Sequence, residues 1–231
     1  YLNLEGLKVS TSRNWAIWLS EYLNRYEPDP LRYVLTANMP ETSDSDFSWR
    51  EYVRGNNDEL VATYGNLVHR VLTMVTRNFE GRVPDPGVLE PTSEDLLELA
   101  GHSFQETGAN IEVCRFRAAL GSAMSLAQAA NRYLDQRAPW AAVKTDTASA
   151  AQTLWVALSV INCLKTSLYP FLPFSSEKLH GMLGLAGQVQ ATGWGWERDA
   201  LKAGDSLGRP EPLFVKLDED IIESETQRIG R

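Results

Sequence analysis

Apolar residues recur at every third and fourth position over most of this 231-residue chain, and that spacing leaves few folds open. From about 49 to 79, Leu60, Val61, Tyr64, Leu67, Val68, Val71, Leu72 and Val75 fall on one stripe, which predicts a helix with a single buried face. The same period returns over about 92–110, 112–136 and 146–169. Long helices of this kind bury their stripes against one another, so an antiparallel helical bundle is predicted from about 55 to 186. A shorter helix, "SSEKLHGMLG", closes it at Gly184. The expected fold class is mainly α: a bundle preceded by a small mixed α/β region.

The local signals divide the rest. "YLNLEG" alternates and ends in Gly6, predicting one short strand entering a turn. "NWAIWLSEYLNRY" places Trp15, Trp18, Leu19 and Tyr22 on one helical face with Asn14 as N-cap. Pro28 and Pro30 are expected to end that helix, with "LRYVLTAN" starting another. Ser48 and Glu51 form a capping box for the long helix, and Thr92, Ser93 and Asp146 are the caps expected later. "EGRVPDPGVLEPTS" is a connecting loop, residues 187–213 an extended surface connection, and the tail a short strand or helix. The chain shows no internal repeat.

A chain of this length with 43% hydrophobic residues can bury a full core. Its formal charge of −8 argues against a surface coated in nucleic acid, but the charge is unevenly placed. Between 211 and 225 six acids face Lys216 alone, whereas between 113 and 144 Arg115, Arg117, Arg132, Arg137 and Lys144 face only Asp135. A local basic surface therefore survives. No uninterrupted apolar run is long enough for a membrane helix and no leader pattern opens the chain, so neither insertion nor secretion is expected. Cys114 and Cys163 lack metal-type spacing and are expected to be reduced core residues of a cytoplasmic protein. Asp44 and Asp46, close to Trp49, have no histidine or third ligand beside them and read as capping groups rather than a metal site or acid–base pair. His102 and His180 have no evident partner, and no metal site is expected.

Two constellations carry chemistry. "KVSTS" offers the Lys8 ammonium and the hydroxyls of Ser10, Thr11 and Ser12, followed by Arg13, ahead of an expected helix N-terminus. Such a cluster suits phosphate oxygens, and equally a solvated lead-in to a helix; the glycine spacing of a Walker loop is missing. On the long helix Asn66, His69, Arg70 and Thr73 line the side opposite the apolar stripe. An amide and a guanidinium one turn apart can reach unpaired base edges, or can simply face water. Trp140, after Pro139, is either a stacking platform for a base or a plug between helices.

Four stretches bear on that choice. "YLNLEGLKVSTSRNWAIW", "LRYVLTANMPETSDSDFSW", "GNLVHRVL" and "NRYLDQRAPW", in this order and at these separations, resemble the C-terminal half of methionyl-tRNA synthetases. "PEPLFVKLDEDII" is similar to the close of the same family's core. The resemblance implies that "KVSTS" is the class I signature loop, usually KMSKS, with Lys8, Ser10, Thr11 and Ser12 beside the ATP phosphates and Lys8 in a catalytic role. Thr11 departs from the pattern, standing where the family has a second lysine. The resemblance also implies that Asn66, Arg70, Pro139 and Trp140 bind the CAU anticodon. His69 is an equivocal neighbour, and Arg132 and Arg137 read as ordinary surface arginines.

The expected parent activity is ligation of methionine to its initiator and elongator tRNAs, using ATP with Mg²⁺ through methionyl-adenylate. The nucleotide-binding domain with its HIGH signature is not in this sequence, so the 231 residues alone are expected to be inactive, to bind no cofactor, and to hold the loop disordered or in a non-catalytic position. Residues 1–54 are expected to form the signature loop and stem-contact region, and 55–231 the anticodon-binding domain. The alternatives are the equivalent part of a cysteinyl, leucyl or valyl enzyme, which share the loop but not "GNLVHR" with "APW", or a helical interaction module without RNA binding.

Overall fold

The computed structural model describes residues 1–230. At its N-terminal end β1 (Leu2–Leu4) is the middle strand of a three-stranded sheet of order β2-β1-β3. The strand β2 (Leu7–Lys8) pairs antiparallel to it, Leu4 opposite Leu7, and β3 (Ser45–Phe47) pairs parallel, Leu4 beside Phe47. Only β1 was legible as a strand. The other two are too short to show alternation, and β3 lies in a polar stretch that its neighbour strand, not its own residues, holds extended.

The helix expected from Asn14 is largely lost: α1 covers only Leu19–Leu23. Asn14 does not cap it but sits at φ +51°, where its side-chain oxygen accepts from Trp18 Nε1 at 2.7 Å. Pro28 and Pro30 do not end a helix; they open α2 (Pro28–Ala37), because the first helical turn needs no N–H partner.

Ser48 caps α3 (Trp49–Arg54) as expected, its Oγ accepting from Glu51 N at 3.2 Å. The reciprocal half of the box is missing, since the Glu51 carboxylate takes Arg54 Nε at 2.8 Å. Helical structure then continues without a break through a π-helical stretch, Gly55–Gly65, into α4 (Asn66–Asn78). Within the stretch Asn66 N reaches Val61 O and the Thr63 hydroxyl donates to Asp58 O, both five residues back. Gly65 permits the register, because a Cβ there would meet Leu60 O at 2.9 Å and Phe214 Cδ2 at 3.2 Å. The predicted stripe is buried apart from Val61, which is half-buried.

The bundle consists of α5 (Pro91–Glu112), α6 (Phe116–Arg137), the short α7 (Pro139–Thr145), α8 (Thr147–Leu168) and α9 (Pro173–Met182), packed on α4. Asp146 caps α8, its Oδ1 accepting from Ser149 N at 3.0 Å. Thr92 and Ser93 do not cap α5, which begins after Glu90 with Pro91 in its first turn. Ser93 is instead fully buried, bonded to the Tyr133 hydroxyl at 2.8 Å and donating to Gln152 Oε1 at 3.0 Å. The α8 helix is buried on almost every side. Its length and hydropathy would suffice to cross a membrane, but 83% of its most apolar window is buried inside the protein, the mark of a core helix.

Cys163 lies in this core, where burial pushes its thiol up to about 12. Cys114 corrects the expectation for it: it is exposed, at φ +58° just past α5. Residues 187–213 run over the surface, with one 3₁₀ turn at Val189–Thr192 and Trp194 stacked on Phe104 at 4.7 Å. The tail forms α10 (Asp220–Thr226). One hydrophobic core extends from Leu4 to Ile229, and the expected division at 54/55 falls inside a continuous helix.

Candidate nucleic-acid interface and phosphate loop

The "KVSTS" segment is a hairpin rather than a helix lead-in. Glu5 and Gly6 turn the chain at φ +48° and +75°, and Lys8 leaves β2 exposed to solvent. Ser10 and Trp15 exchange backbone hydrogen bonds of 2.9 and 2.8 Å, closing Thr11–Asn14 into a turn. The hydroxyls of Ser10 and Ser12 are 3.3 Å apart, and Thr11 and Ser12 face water. The segment is therefore drawn into a hydrogen-bonded turn. The helix N-terminus expected directly behind it is absent, because α1 begins seven residues after Ser12; lysine and hydroxyls are left to hold an anion without a helix dipole.

Side chains from the neighbouring strands brace this hairpin. Asp46 Oδ1 accepts from Gly6 N and Glu5 Oε1 from Trp49 N, each at 2.8 Å, and Trp15 Nε1 donates to Leu4 O at 2.8 Å. Asp46 thus holds the hairpin turn instead of capping a helix, and Trp49 is fully buried. The tail adds a further brace: Gly230 N donates to Asn14 O at 3.0 Å.

The second constellation forms where α4 passes the α6–α7 corner. Ala138 turns that corner at φ +43°, ψ +54°, at once the C-cap of α6 and the N-cap of α7. Pro139 follows in the first turn of α7, buried, so Trp140 is held on a rigid step and left 43% exposed. Opposite it, Arg70 Cζ lies 5.0 Å from the centroid of the Trp140 ring, and Arg70 Nη2 donates to Asp135 Oδ1 at 3.0 Å. Two residues 70 positions apart are thereby brought into one cation–π pair.

Asn66 is exposed one turn before Arg70. With His69 it borders a groove of about 430 Å³ whose apolar wall is Val61, Ala62, Leu213 and Phe214. Phe214 reaches this place by packing on the buried Tyr64 ring, at 5.9 Å between centroids. The structure thus puts Arg70 and Trp140 in contact, with Asn66 one turn before Arg70 on α4. Asp135 and Phe214 were not anticipated. Asp135 was visible only as the lone acid of a basic stretch, and nothing in the sequence placed Phe214 beside α4.

The arginines of the basic stretch separate. Arg137 is occupied within the fold, donating to Glu90 Oε2 at 2.5 Å and to Ser149 Oγ at 3.1 Å. Arg115, Arg117, Arg132 and Lys144 are exposed. Among the described residues no group of three or more His, Cys, Asp or Glu side chains could hold a metal ion.

Comparison with known proteins follows this geometry closely. Residues 1–72 match the family described as class I tRNA synthetases (M), and residues 83–230 match the anticodon binding domain of methionyl tRNA ligase. The methionine–tRNA ligase of Dehalococcoides mccartyi is 51% identical over 230 residues, spanning 100% of this chain and 41% of that protein. That of Thermomicrobium roseum is 47% identical over 253 residues, spanning 99% of this chain and 43% of the relative. The structure of Mycobacterium tuberculosis methionyl-tRNA synthetase in complex with methionyl-adenylate superposes with a TM-score of 0.84 at 27% identity, covering 92% of this chain and 42% of that one. The chain thus spans about two-fifths of the length of the proteins it matches.

Proposed function

The chain belongs to the methionyl-tRNA synthetase family, and from that membership we propose that it is the part of a methionine–tRNA ligase that reads the CAU anticodon and carries one edge of the ATP site. The observation that carries the reading is the Arg70–Trp140 pair, with Asn66 one helical turn away. An indole exposed on one side gives an unstacked base a platform. The Arg70 guanidinium and the Asn66 amide then supply donors, and the amide an acceptor, to base edges that an unpaired loop leaves accessible. Pro139 sets the height of the platform by fixing the first turn of α7.

In the complete enzyme Lys8 and the hydroxyls of Ser10, Thr11 and Ser12 hold phosphate oxygens of ATP, brought with Mg²⁺. The methionine carboxylate attacks the α-phosphorus, pyrophosphate leaves with its electron pair, and Lys8 stabilises the charge that develops on it. Thr11 contributes a neutral donor where a second lysine would contribute charge. Residues 1–54 and 55–231 are functional divisions sharing one core, and the setting is cytoplasmic. The 231 residues by themselves do not form the adenylate, since the hairpin supplies phosphate donors only.

Binding to a CAU anticodon stem-loop tests the reading. Trp140→Ala weakens it by about 1–3 kcal/mol, and stem-loops with other anticodons bind less well at every salt concentration. Unchanged affinity in a folded Trp140→Ala protein would refute the assignment. ATP–pyrophosphate exchange by the isolated chain above background would refute its inactivity.

A further inference from the structure

The α8 helix carries a charged residue that the reading above does not use. Lys165 is only 3% exposed, and its ammonium donates to one neutral acceptor, Asn162 Oδ1, at 2.8 Å. No carboxylate lies within ion-pair distance of it among the described residues; the nearest influence of that sign is Glu177, whose carboxylate is engaged by Val189 N at 3.0 and 3.2 Å. Burying an unpaired ammonium is costly, and the cost appears in its titration, which burial lowers to about 8.

Lys165 shares a cavity of about 420 Å³ with His180, which is 2% exposed. The His180 Nε2 faces Ala186 O at 3.2 Å, and because a carbonyl can only accept, that nitrogen carries the proton. In that tautomer Nδ1 is an acceptor, and it is buried with no partner in the protein. Leu185, Ala186, Trp196 and Ala200 supply the apolar part of the lining, and Glu197 is its one acid. The cavity therefore holds a buried donor cation and a buried vacant acceptor. It is not an attractor by net charge; what it offers is an ammonium already stripped of water.

We propose that the cavity between α8, α9 and the 185–200 segment binds a small phosphate monoester in its monoanionic form, with Lys165 Nζ donating to its oxygens and its one P–O–H donating to His180 Nδ1. A carboxylate would satisfy the lysine and leave the histidine vacant, whereas a monoester satisfies both. A phosphodiester, as in an RNA backbone, has no P–O–H to give. The volume exceeds that of a bare anion, which leaves the apolar lining for an organic group. Lys165 lies about 27 Å along α8 from the helix's N-terminal end, and the cavity's lining shares no residue with Asn66, Arg70, Pro139 and Trp140, so this site is separate from the anticodon surface.

Titration of the 231-residue chain with inorganic phosphate, phenyl phosphate and sulfate, followed by calorimetry, tests this. At about pH 5.5, where a phosphate monoester keeps one proton, phosphate binds saturably, phenyl phosphate binds more tightly, and sulfate, which has no proton to give, binds more weakly; both phosphates weaken as the pH rises past about 7. Lys165→Met weakens both phosphates by about tenfold or more. Should methionine disturb the packing, His180→Phe, which keeps a ring and removes the acceptor, gives an independent reading, abolishing the preference for phosphate over sulfate. Absence of saturable binding, equal affinity in folded Lys165→Met, or sulfate binding as well as phosphate would each overturn the proposal.

Discussion

Arg70 is held between two partners at once: its guanidinium lies 5.0 Å from the Trp140 ring and 3.0 Å from a carboxylate oxygen of Asp135. The pair with Asp135 is largely solvent-exposed on the acid's side and contributes little to stability. Its consequence is competition, because a base edge that takes the arginine's donors must displace the carboxylate.

Two substitutions separate these contacts. Asp135→Asn frees Arg70 without disturbing the ring, and is expected to strengthen CAU stem-loop binding and weaken its discrimination against other anticodons. Arg70→Lys keeps the charge but loses the planar fork and the stacking surface, and is expected to weaken binding by about 1–3 kcal/mol with little change in melting temperature. Stem-loop affinities and a thermal melt check both.

Arg25 pairs with Glu225 through two hydrogen bonds, 2.9 and 2.8 Å, across 200 residues of sequence, and Tyr26 donates to the same carboxylate at 3.0 Å. Glu225 is 3% exposed. Arg25→Met leaves that buried carboxylate only the longer, 3.5 Å pair with the exposed Arg228 and is expected to cost about 1–3 kcal/mol. Hydrogen exchange should report faster exchange in α10 and, through the Gly230–Asn14 contact, in the 10–15 turn, before it changes in α5 or α8.

Lys165 predicts a pH effect of definite sign. Its folded value, about 8, lies below its ordinary 10.5, so between those limits the unfolded chain holds the proton more often. Wild type therefore gains stability relative to Lys165→Met as pH rises from about 8 towards 10.5, by about 3 kcal/mol at most, and shows the full deficit below pH 8. Denaturant unfolding of both proteins at pH 7 and pH 10 measures it; the difference between them cancels the buried tyrosines, which titrate in each.

Gly65→Ala sets helix propensity against packing. Alanine gains about 1 kcal/mol in a helix interior, but its Cβ would stand 2.9 Å from Leu60 O and 3.2 Å from Phe214 Cδ2. Clash with backbone cannot be relieved by a rotamer change, so a net loss of about 1–3 kcal/mol is expected. Phe214 should shift with it, and the groove beside Asn66 should change shape, readable as weaker stem-loop binding.

Helices with one wet face were legible in the sequence because their period survives whatever they pack against, and Ser48 and Asp146 were legible because an N-cap is satisfied locally. Asn14, Pro28 and Ser93 departed from expectation for other reasons: the local Ser10–Trp15 bridge takes residues 10–15 out of any helix, Pro28 opens α2 where it was expected to end α1, and Tyr133 and Gln152, distant in sequence, draw Ser93 into the core.

The candidate site divides along the same line. The sequence by itself determined that Asn66 and Arg70 share a helix face, that Pro139 rigidifies the step below Trp140, and that "KVSTS" presents a lysine among hydroxyls. Those are properties of spacing and covalent geometry. Only the tertiary structure decided that Trp140 lies over Arg70, that Asp135 competes for it, that Phe214 walls the neighbouring groove, and that Lys165 and His180 share a cavity. Each of those relations joins separate elements, and it exists because burying the stripes of α4, α6 and α8 against one core fixes their rotation, and with it what each helix turns towards its neighbours.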